Sequence, residues 1–191
     1  LQLFNVGAAS CGVYGNPAGL AAASERWGTI DLGSLAAPGA AIARDGFVLT
    51  EAAGYIYEIL ASILESTPES RAVFAPEGHV LRPGDVVRSD ELAETIERFG
   101  AEGAEPFYRG DIARAVCEHV AAGGGTLCLG DLRAYEAIGR PPAEARYRGR
   151  EVLTNPPPSA GGILLTLALA QLDRAVGFRR GAVRSEERRV G

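Results

Sequence analysis

The sequence predicts a helix-rich α+β fold, and three observations carry that reading. Apolar residues recur at helical spacing in several windows, most of them opened by a capping residue and closed by glycine. One stretch, "EARYRGREVLT", alternates around Arg148-Gly149 instead and reads as a hairpin or two short strands. Of the 191 residues, 47% are hydrophobic, which is enough for one substantial core.

The elements follow in order. Asn16-Pro17 reads as an N-cap with proline at the first helical position, and the helix "AGLAAASERW" stops at Gly28. Asp31 caps "LGSLAAPGAAIARDG", in which Pro38 predicts a break or kink and Gly46 the end. Thr50 starts "EAAGYIYEILASILES", with Ile56, Leu60 and Ile63 or Leu64 expected on its buried face. Residues 75–89 are turn-rich and extended. Ser89 or Asp90 caps "ELAETIERFG", whose expected buried stripe is Leu92, Ile96 and Phe99. "DIARAVCEHVAAGGG" has Asp111 as cap, Ile112, Val116 and Val120 as stripe, and glycines 123–125 as stop. "DLRAYEA" reads as a short helix capped by Asp131. Pro156, Pro157 and Pro158 then predict a stiff extended rod, running into Ser159, Gly161 and Gly162. Ser159 is the expected N-cap of "SAGGILLTLALAQLDRA", a helix apolar nearly all round and therefore expected to be central. No internal repeat and no dividing linker is visible, and the last dozen residues lose their apolar period.

Composition narrows the function classes. With 19 basic and 24 acidic side chains the net charge is −5, and no basic face of the kind that binds nucleic acid is visible. The arginine-dense stretches, "RYRGR" at 146–150 and the C-terminal "FRRGAVRSEERRVG", read as solvated surface or frayed tail. Cys11, Cys117 and Cys128 are too few and too scattered for a disulfide scaffold. His79 and His119 lack ligand spacing, so a zinc site is not expected. The longest apolar run, Ile163 to Ala170, falls well short of the ~20 residues that span a bilayer, so no membrane span is expected in this chain. No methionine is present, and "LQLFNV" has no charged n-region, which predicts an N-terminus that is neither a translation start nor a signal peptide.

The residues alone offer no catalytic constellation. "AGGGTLCLGD" lacks the lysine and hydroxyl residue of a P-loop and the Rossmann glycine spacing, and reads as a helix end running into a loop. Ser159 is not in a Gly-x-Ser-x-Gly elbow and has no histidine near it in sequence. Glu94 with Glu97, and Glu186 with Glu187, read as solvated helix faces. No cofactor is expected.

The order of features resembles the large subunit of γ-glutamyltranspeptidases from about Gly12 to about Leu172. "AGLAAASERWGTIDLGSLAAPGAAIARDGFVL" is similar to a stretch with an Ala-Gly-Leu helix, an aromatic-Gly turn, a Leu-x-x-Leu-x-x-Pro segment and a Gly-Phe-x-Val close. "LRPGDVVRSDELAETIERFGAEGAEPFYRGDIARAV" resembles the block in which Gly-Asp, a Leu-Ala-x-Thr helix and Phe-Tyr-x-Gly-x-Ile-Ala succeed one another. "GGTLCLGDLRAYEA" and "YRGREVLTNPPPSAGGI" look like its Asp-Leu-x-x-Tyr element and its Pro-Pro-Pro-Ser-Ser-Gly-Gly motif. Ala160 stands where the family has a second serine.

The resemblance implies a helix-rich part of an Ntn-hydrolase αββα sandwich. In that family a precursor cleaves itself, and the new N-terminal threonine of the small subunit attacks a γ-glutamyl amide with its own α-amine as base. An arginine holds the glutamate α-carboxylate. Neither position matches a residue of this chain, so no catalytic or substrate-binding residue is assigned, and Thr126, Thr154 and Thr166 are expected to be structural. The motif Pro156, Pro157, Pro158, Ser159, Gly161 and Gly162 is read as architectural. The resemblance implies residues 1–178 as a partial large-subunit region and residues 179–191 as a tail outside the fold. It implies a small-molecule γ-glutamyl substrate and the protein's own small subunit as partners, and favours a periplasmic or extracellular setting. A related Ntn amidase or acylase, or a truncated non-catalytic scaffold homologue, are the alternative readings.

Overall fold

Small residues set a close contact between two helices. The computed structural model describes the backbone of residues 6–187 and the side chains of residues 6–175. In it, helix α2 (Leu32–Asp45) lies against α5 (Asp90–Glu102). A Cβ added at Gly100 would sit 2.9 Å from the Ala36 Cβ and 3.1 Å from the Gly33 Cα, so the two backbones approach as closely as glycine allows. Ala40, Ala43 and Ala93 are buried along the same seam. Arg44 of α2 clamps Glu97 of α5 through two hydrogen bonds of 2.8 and 3.0 Å, and holds its carboxyl below the usual range.

The chain divides into two units, Leu1–Ala137 and Ile138–Gly191. The first opens with a 3-10 turn (Ala8–Ser10) and α1 (Asn16–Trp27), then α2. A two-residue strand β1 (Phe47–Val48) pairs antiparallel with β2 (Val86–Val87). Between those strands lie α3 (Glu51–Leu64) and α4 (Pro68–Phe74). After α5 come α6 (Glu105–Tyr108), α7 (Asp111–Ala122) and α8 (Leu129–Arg133). The second unit holds β3 (Ala143–Tyr147), β4 (Arg150–Thr154) and α9 (Ala160–Glu187). Of the expected C-terminal tail, residues 179–187 continue the backbone of α9, and 188–191 lie outside the described residues.

Most capping assignments hold. Asp31, Thr50 and Ser89 each accept a hydrogen bond from the backbone N–H three residues on. Others shift by a residue or more. Gly15, not Asn16, is the N-cap of α1, and Gly110, not Asp111, is that of α7; the polar side chain then sits inside the first turn. Cys128 caps α8, with Asp131 at the third helical position accepting from the Cys128 N–H at 3.0 Å.

Four expectations change. Pro38 leaves α2 unbroken; it lies on the exposed side of the helix, as does Ser34, the residue whose carbonyl a proline at this position cannot bond. On α5 the buried position is Ala93, while Leu92 is 52% exposed, because close approach to α2 selects the small residues. On α3 the core-facing side is Ala53, Gly54 and Tyr57, packed toward Leu49, Leu81, Val87 and Pro83. Ile56 and Ile63 point outward, and Leu60 lies at the edge, 37% exposed. Both sides of α3 are apolar, so periodicity alone does not say which side meets the core. On α7 the stripe is rotated slightly, to Ala113, Cys117 and Val120, with Val116 at its edge. These pack with Leu127 and Leu132 into a small core.

Tyr108, 3% exposed, ties this core to α1. Its hydroxyl donates to the Tyr14 carbonyl at 2.8 Å and accepts from the Ala18 N–H at 3.2 Å, while its ring stacks on Tyr135 at 5.4 Å. Burial pushes the Tyr108 hydroxyl above its ordinary pKa. Removing that hydroxyl leaves a helix N–H and a carbonyl without their partner. Tyr108→Phe is therefore expected to destabilise the chain by about 1–3 kcal/mol in chemical denaturation.

Arg98 joins α5 to α7 through two 2.9 Å bonds to Asp111 and also meets Glu102 at 3.0 Å. The guanidinium, helped by the N-terminal amides of α7, holds the Asp111 carboxyl well below its ordinary value of 3.8. The unfolded chain therefore takes up the proton first on acidification. The contribution of Asp111 is complete above the ordinary carboxylate pKa and is lost as pH falls below it. Asp111→Asn should flatten the loss of thermal stability between about pH 4 and pH 2 relative to the unmodified chain.

Candidate functional site

The proline-rich segment singled out in the sequence sits on a hairpin. β3 and β4 pair antiparallel from Ala143↔Thr154 to Tyr147↔Arg150. Arg148 (φ 51°) and Gly149 (φ 75°) form the two-residue turn, a geometry that follows the twist of the flanking strands. Ala143, Ala145, Tyr147, Val152 and Thr154 are half-buried and alternate with exposed residues. α9 packs on β3, and the Arg148 N–H donates to Asp173 Oδ1 of α9 at 2.8 Å.

Leaving β4, the chain does not continue as a straight rod. The Ser159 N–H donates to the Pro156 carbonyl at 3.1 Å, which closes the segment into a turn. The reason is connectivity. α9 returns along β3, and a chain leaving the neighbouring strand has to reverse to reach it. Ser159 is half-buried and directly precedes Ala160, the first residue of α9, which is the N-cap position expected for it.

The two glycines of the motif differ. A Cβ at Gly162 would overlap the Asn155 carbonyl and lie 2.9 Å from its carbon. A Cβ at Gly161 would meet nothing nearer than the Ser159 Oγ at 3.9 Å. Gly162 therefore permits the first turn of α9 to press on the end of β4, while Gly161 is open within this chain.

Asn155 to Ser159, with Ile138 and Arg140, line a groove of about 560 Å³. It offers a guanidinium, a carboxamide and a hydroxyl. Among its described lining residues there is no histidine or carboxylate, so Ser159 has no base there. His79 lies in the turn-rich loop after α4, and His119 is exposed on α7. Among the described residues no group of three or more His, Cys, Asp or Glu could hold a metal ion, and no helix is long and apolar enough to cross a membrane.

The remaining candidates do not line this groove. A Cβ at Gly123 would sit 2.6 Å from the Ala8 Cβ, and one at Gly125 would run into the Ala8 and Val120 atoms, so this glycine run lets the N-terminal turn seat on the end of α7. Thr154 ends β4 paired with Ala143, the Thr166 hydroxyl donates to the Ile163 carbonyl at 2.8 Å, and Thr126 is exposed after α7. Glu97 is paired with Arg44 and Glu94 is exposed; the side chains of Glu186 and Glu187 lie outside the described residues. Sequence reasoning did not anticipate the Tyr14–Tyr108–Tyr135 cluster, because residues so far apart carry no local pattern.

Comparison with known proteins places this arrangement. A γ-glutamyltranspeptidase of Helicobacter pylori superposes with a TM-score of 0.80 at 28% identity, over 86% of this chain and 47% of that one. The fold is the helix-rich part of an Ntn hydrolase. The γ-glutamyltranspeptidase family model matches residues 2–189, and the chain belongs to that family. It is 34% identical over 163 residues to the glutathione hydrolase proenzyme of Escherichia coli K12, covering 85% of this chain and 28% of the relative. It is 33% identical over 178 residues to the acylase ACY 1 proenzyme of a Pseudomonas species (strain V22), covering 93% and 31%. The chain thus spans about three tenths of the length of these relatives.

The unequal glycines give a direct test. Gly162→Ala is expected to lower the thermal midpoint by several degrees, because the Asn155 backbone cannot yield as a side chain can. Gly161→Ala is expected to leave it unchanged or to raise it slightly. Differential scanning calorimetry of the two variants checks both outcomes.

Proposed function

We propose that this chain is part of the large subunit of a γ-glutamyltransferase/glutathione hydrolase. The parent protein moves a γ-glutamyl group from glutathione-like amides to water or to amino acids. The observation that carries this reading is the family match across residues 2–189, together with relatives several times longer that are named as proenzymes. In this reading the nucleophilic threonine and the glutamate-binding arginine belong to segments other than these 191 residues, and the partner of this chain is the protein's own small subunit. The residues present build support. The hairpin, the proline turn and Gly162 fix the start of α9, whose Ile163, Leu164, Leu165 and Leu167 remain 43–64% exposed within this chain. The expectation of a central helix is not met by the residues present. Covering those side chains is a task for other segments of the parent protein.

A second reading, an acylase acting on another amide, is favoured by the 33% identity to the Pseudomonas acylase proenzyme. One set of assays separates the two. The full-length precursor should split at a threonine and then release the anilide from a γ-glutamyl anilide, with little action on unrelated acyl amides. The reverse preference establishes the acylase. The 191-residue chain alone should turn over neither; glutathione hydrolysis by this chain alone would overturn the proposed division of labour.

A further inference from the structure

We draw no further inference here: the strongest candidate, the groove beside α4 and β2 that Glu77, His79, Asp85 and Arg88 line, lies on a chain spanning about three tenths of its relatives, and nothing in the structure shows what covers it.

Discussion

The N-terminal unit depends on one buried hydroxyl. Tyr108 ends a four-residue helix, α6, too short to hold itself in place. What fixes it is the side chain. The oxygen joins the Tyr14 carbonyl and the Ala18 amide, and the ring is set between Tyr14 at 5.5 Å and Tyr135 at 5.4 Å. Tyr14 answers by donating its own hydroxyl to the Phe107 carbonyl. The segment before α1, the start of α1, α6 and the end of α8 are thereby locked together on the α7 core. Gly15 belongs to the same constraint, since a Cβ there would run into the Tyr135 hydroxyl.

Around that lock the packing is modest. Among the described residues the fully buried large side chains are few, Leu49 and Leu132 foremost, and alanine makes up much of the remaining core. Small residues bring backbones close, and the ion pairs Arg44–Glu97 and Arg98–Asp111 then bridge neighbouring helices at the surface. Such exposed pairs orient helices more than they stabilise them. A chain with this core and many exposed aliphatic residues matches a piece of a larger fold, in agreement with its covering 28% of the Escherichia coli relative.

The candidate site shows how a motif becomes geometry. Three prolines, a serine and two glycines stand out in the sequence as a unit. Which glycine matters does not, because the difference lies in the position of the Asn155 carbonyl, contributed by the strand and not by the motif. The turn was hidden too, since the reversal is imposed by α9 lying on β3.

By itself the sequence determined the helical stretches, the hairpin at Arg148-Gly149, the caps at Asp31, Thr50 and Ser89 and the family, since each is written in residues close along the chain or in their fixed order. Helix α4 after Thr67 and the short α6 were missed, because each is too brief for a periodic signal. Only the tertiary structure decided which face of α3 and α5 is buried, that Pro38 leaves α2 whole, and that Tyr14, Tyr108 and Tyr135 meet. Those outcomes turn on which neighbour lies within a few ångströms, and a one-dimensional pattern records that a face is apolar without recording what comes to cover it.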